Sequence, residues 1–180
     1  MASLTQPQIE AAQEFYAAVI DGLRTPQGIH AATAIAAMAR LAGAFLLRSF
    51  GLPIAQVAPG TPVLSNQANE QGPRLVNILG SVLANMGIVI DPSRIDFAAP
   101  PAEKPQLSLL ETQARLEPAF ARSVQQHQLT HGQAADAAAA ATALVIAQCA
   151  GTIDVHTAFH IAAYSFVEGA KTAPYIADVA

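Results

Sequence analysis

Apolar residues recur along this chain at intervals of three and four, a helical period, and no segment alternates convincingly as a strand. Ile9, Ala12, Tyr16, Val19 and Leu23 mark a first helix over 7–23, with Thr5 as its cap. Thr25 followed by Pro26 reads as a cap and a first-position proline. A second helix is expected over 26–50, stopping at Gly51 ahead of Pro53. A third spans 66–86, with Leu75, Ile78, Leu79, Val82, Leu83 and Met86 as its apolar stripe. Ser108 and Glu111 form a capping box that opens a fourth helix over 108–128, which Pro118 should kink. Thr130 caps a fifth over 131–150. The sixth runs over 154–169, with Val155, Phe159, Ala162 and Phe166 as its buried stripe.

Two proline-rich connections separate these helices. The first, after Gly51, carries Pro53, Pro59 and Pro62; the second runs from Ile88 to Pro105, with one helical turn expected at Asp91-Pro92. Connections this long are uncommon in a compact domain, so each is expected to wrap the bundle, cover a pocket or reach a partner.

The second helix sorts its residues by size. Ile35, Met38, Leu41, Phe45 and Leu46 share one face; Ala32, Ala36, Gly43 and Ala44 form the other, with Thr33 and Arg40 among them. Small residues let a neighbouring backbone approach closely, and a helix apolar all round belongs at the centre of a bundle. Arg40 on the alanine face is expected to reach water at an edge, or to grip a carboxylate: Glu10, Glu14 or that of an acidic ligand.

Residues 7–43 also align without a gap over 133–169. Val19, Ile20, His30, Ile35 and Gly43 coincide with Val145, Ile146, His156, Ile161 and Gly169, together with several alanines. The alignment suggests a duplicated αα-hairpin at the two ends of the chain, packed about a pseudo-two-fold. Such an axis would give His30 and His156 equivalent places near the starts of their helices. Position 160 breaks the symmetry, because His160 falls opposite Ala34.

Composition narrows the picture. The chain of 180 residues is 52% hydrophobic and only 12% charged, so some apolar surface is expected to be buried against a second copy, as a homodimer. Nine Lys and Arg against thirteen Asp and Glu, with no basic run, exclude nucleic-acid binding. Cys149, the single cysteine, permits no internal disulfide and reads as a small apolar residue. The N-terminal residues do not form a signal peptide. Arg40 interrupts one apolar stretch, and the other, 137–147, is too short to cross a membrane, so a cytoplasmic protein is expected.

Candidate chemistry is sparse. His156 and His160, four apart on the shoulder of the sixth helix, could share a metal ion. Zinc needs a third ligand, for which His30, His127, His131 and Asp154 are the candidates. The zincin glutamate between the pair is absent, as is any Glu-x-x-His of a di-iron bundle. No phosphate loop, dinucleotide fingerprint or nucleophile elbow occurs. The polar run from Ser65 to Arg74 reads as a solvated helix start, or else as the rim of a binding site.

The sequence therefore predicts an all-α, six-helix bundle in one domain. Its leading functional reading is a non-enzymatic oligomer that binds a small-molecule ligand or a protein partner. Arg40, His30 and His156 are the candidate ligand contacts, and the sequence leaves any cofactor unassigned. The rival is a metal-dependent enzyme using His156 and His160.

Overall fold

The computed structural model describes residues 4–175, which form six α-helices: α1 (Gln6–Leu23), α2 (Ala31–Ser49), α3 (Asn66–Asn85), α4 (Leu109–Gln126), α5 (His131–Cys149) and α6 (Val155–Ala170). No strand forms among the described residues, and the bundle is all-α as expected. Most helix starts follow their local signals. Ser65, Ser108, Thr130 and Asp154 each accept a first-turn amide with a side-chain oxygen. Asp91 caps the single turn at Pro92–Arg94 in the same way.

The second helix departs from expectation. Thr25 and Pro26 do not open it; they belong to a tight turn in which Thr25 and Gly28 exchange backbone hydrogen bonds of 3.1 and 3.0 Å. Gly28 closes the turn at φ +102°, a left-handed conformation that glycine adopts without strain. The helix then begins at Ala31, with His30 at the cap position and no side-chain oxygen on its first amides.

α2 is the central helix. Every residue from Ala31 to Leu47 is buried, and it packs most extensively against α6 and α5. It is also the one described helix long and apolar enough to cross a membrane, yet 94% of that window lies inside the bundle. Its small face performs the expected task. Gly43 meets Gly169 of α6, where an added Cβ would press on the Phe166 carbonyl and come within 2.7 Å of the Ala170 nitrogen. Gly169 makes the reciprocal approach to the Arg40 carbonyl and the Ala44 nitrogen. The two glycines are 126 positions apart, the offset at which the terminal segments align. The helix starts do not keep that offset: Thr5 and Thr130 are 125 apart, and His30 and Asp154 are 124 apart.

α1 buries Phe15 rather than Tyr16, because Phe15 stacks on Phe120 of α4 with ring centroids 4.2 Å apart. Ile9, placed in the stripe from its spacing, is 40% exposed. In α3, Leu75, Leu79 and Leu83 are buried and Met86 at the end of the stripe is exposed.

Both proline-rich connections dock on the bundle itself. The first pairs with the segment after α6: Gly60 donates to the Ala173 carbonyl, Val63 donates to Lys171, and Ala173 donates back to Thr61. The second connection, residues 86–108, forms a strap along α6 and α2. His156 Nε2 accepts from the Asp91 amide at 3.1 Å, and His160 meets the Phe97 ring edge-on. Further along, Arg40 donates to Leu107 O at 2.6 Å, and Thr33 Oγ1 accepts from the Gln106 amide at 2.8 Å. His156, His160, Tyr164 and Glu168, successive i,i+4 positions of α6, form the rail beneath this strap.

Candidate functional site

A cavity of about 490 Å³ lies where the turn between α1 and α2 faces the end of the strap and α4. Leu23, Ile29 and Leu107 give it apolar wall, and Thr25, Gln27 and Gln106 bring hydroxyl and amide groups. His30, Thr33 and Arg115 complete the lining. Its size falls within the range of small-molecule sites, and its mixture of apolar wall and a few converging polar groups is typical of them.

The hydrogen bonds around Thr33 fix the state of His30. Thr33 is only 5% exposed, and its Oγ1 already accepts the Gln106 amide. Its remaining partner is His30 Nδ1 at 2.8 Å. An idle hydroxyl proton would be costly at this depth, so the hydroxyl donates to Nδ1. In the neutral ring the proton then sits on Nε2, leaving an N–H donor on a residue of the cavity wall.

Arg115 is the second notable donor. Arg24, Arg40, Arg48, Arg74 and Arg94 each face a carboxylate; Arg115 and Arg122, both exposed on α4, face none, and of these two Arg115 lines the cavity. The sequence reading did not single it out, although a signal was present. Glu111, one turn before Arg115, is engaged by Ser108 in the capping box, with Ser108 N–H donating to it at 2.7 Å. That bond holds the Glu111 carboxyl below its usual range and removes it as a local partner for Arg115.

The residues singled out from sequence do not converge. Arg40 is 6% exposed and neither reaches water nor pairs with Glu10 or Glu14. It donates from Nε at 2.7 Å and from Nη2 at 3.2 Å to Glu168, with Nη1 on Leu107 O. This bidentate pair bounds a smaller cavity of about 200 Å³ beside Pro100, Pro101 and Pro105. His156, expected on the helix shoulder, is 7% exposed because the strap covers it. Its Nε2 lone pair accepts the Asp91 amide, so the proton of the neutral ring sits on Nδ1, 3.6 Å from Asp154 Oδ1 and without a hydrogen bond. No lone pair on that ring is left over for a metal ion. His160 packs on Phe97, and among the described residues no group of three or more His, Cys, Asp or Glu side chains is arranged to hold a metal. His30 lies on the cavity wall, and it shares no partner with His156.

The other candidate ligands hold helices together. His127 sits between Glu14, 2.9 Å from Nε2, and Glu10, 3.5 Å from Nδ1, tying α4 to α1. The nearby Ser123 hydroxyl and then the His127 ring hold the Glu14 carboxyl below its ordinary range. His131 stacks on Phe45, and desolvation, followed by the nearby Arg48 charge, lowers its pKa. Asp154 caps α6 through the His156 and Thr157 amides, and these bonds hold its carboxyl low. Burial pushes the Cys149 thiol up, away from the reactive thiolate. The polar run at the start of α3 is a solvated helix start: Asn66, Asn69, Glu70 and Gln71 are exposed, and Arg74 pairs with Asp136 at 3.1 Å.

Comparison with protein-family models, with curated proteins and with solved structures finds no match to this chain.

Proposed function

We propose that this chain is a non-enzymatic ligand-binding helical bundle, with its site in the cavity between the α1–α2 turn, the end of the strap and α4. The observation that carries this reading is a roomy cavity whose wall holds donors with no protein partner, Arg115 foremost. The surrounding frame is well ordered for the task. Thr33 fixes the His30 ring, and the Arg40–Glu168 pair holds Leu107 against α2. A screen of small organic fragments by ligand-observed NMR tests the proposal. Binders should compete for one site and shift the backbone amides of residues 28–33 and 106–107. Binders that leave those amides unmoved would contradict it.

The same reading keeps the chain as a self-associating cytoplasmic protein. Leu64, 85% exposed, and Val89 and Phe97 leave apolar surface for a second copy to cover. A single free thiol suits a reducing compartment. Light scattering at micromolar concentration should return a dimer, and a monomer there would overturn the self-association.

A further inference from the structure

We propose that the ligand of this cavity is an organic anion, a carboxylate or phosphate head on an apolar body; the proposal rests on the cavity being the ligand site. The chain carries a formal charge of −4, yet the cavity lining contains no Asp or Glu. It contains instead one arginine, one histidine whose proton is directed to Nε2, and the neutral groups of Thr25, Gln27 and Gln106.

Arg115 and Arg122 both lack a carboxylate partner, and of the two Arg115 lines the cavity. Its planar fork of N–H donors matches the oxygens of a carboxylate or phosphate, and a partly enclosed wall strengthens such a bond relative to open water. The Thr33 hydroxyl already accepts from the Gln106 amide and donates to the His30 ring. The first turn of α2 adds the positive end of a helix dipole beside His30. A cationic ligand would meet Arg115 with nothing to offset it. A neutral one would forgo the charge-assisted bond that the guanidinium offers. The apolar wall of Leu23, Ile29 and Leu107 accounts for the body of the molecule.

Benzoate, phenyl phosphate and benzamide make a matched set of probes, the last being the uncharged counterpart of the first. Each is titrated into the full chain while backbone amides are followed by NMR, in parallel with Arg115→Gln, Arg115→Lys and, as a control outside the cavity, Arg122→Gln. Benzoate or phenyl phosphate should bind about tenfold or more tightly than benzamide. Arg115→Gln should erase that preference, Arg115→Lys should retain part of it, and Arg122→Gln should leave it intact. The tighter of the two anions assigns the head group. Equal binding of benzamide and benzoate, unchanged in Arg115→Gln, would overturn the anion proposal while leaving the cavity as the ligand site. Failure of all three probes to move the amides of residues 28–33 would overturn both.

Discussion

Gly43 and Gly169 lie back to back where α2 crosses α6, so close that a Cβ on Gly43 would stand 2.9 Å from the Gly169 Cα. Both obstacles to a side chain are backbone, which cannot rotate aside. Gly43→Ala is therefore expected to cost about 3 kcal/mol, the upper end of typical overpacking penalties. Denaturant unfolding measures it directly. A variant as stable as the parent would mean that the two helices do not cross this tightly.

The strap depends on the same crossing, because Arg40, one turn before Gly43, holds both Glu168 and Leu107 O. Glu168→Gln leaves a buried guanidinium without its counter-charge. Glu168 keeps 30% of its side-chain exposure, so the expected loss is about 2 kcal/mol, below the range for a fully buried pair. Hydrogen exchange at residues 105–107 should accelerate alongside the loss. Unaltered exchange there would separate the ion pair from the strap.

His156 anchors the other end of the strap. His156→Ala should cost about 1 kcal/mol, the usual worth of one hydrogen bond, and should expose the Asp91 amide to exchange. A chelator should leave the melting temperature of the parent protein unchanged. A chelator-induced drop that disappears in His156→Ala would revive the histidine pair as a metal site.

Two buried or half-buried carboxyls should give opposite pH signatures. Burial raises the Glu117 carboxyl against the pull of Arg48, whereas Ser123 and His127 hold Glu14 low. A raised carboxyl binds its proton more tightly in the folded chain. Glu117 therefore removes stability as pH rises from the ordinary glutamate value, about 4.3, through its folded value. Glu14 contributes stability above the ordinary value and loses it as pH falls through its lower folded value. Glu117→Gln should abolish the first dependence and Glu14→Gln the second, in stability curves measured across acid pH. The same pH slope in both variants would contradict the assignment.

The helices were legible in the sequence wherever the signal was local. The caps at Ser108 and Thr130 and the turn at Asp91 sit where nearest-neighbour chemistry puts them. Thr25-Pro26 misled because a cap with a first-position proline and a tight turn share the same two residues; Gly28, two positions on, decides for the turn. Phe15 displaced Tyr16 from the core through a stack with Phe120, more than a hundred residues away, which no periodicity reports. The burial of His156 has the same origin, since its cover comes from a connection without periodic pattern. Arg115 was within reach of sequence reasoning once Glu111 was assigned to the capping box.

The most direct measurement is an amide-shift map of the isotope-labelled chain titrated with phenyl phosphate. Shifts are expected to cluster at residues 25–33, 106–107 and 115, around the cavity wall. Shifts centred instead on His156 and His160, or spread without a focus, would contradict a ligand site between the α1–α2 turn and α4.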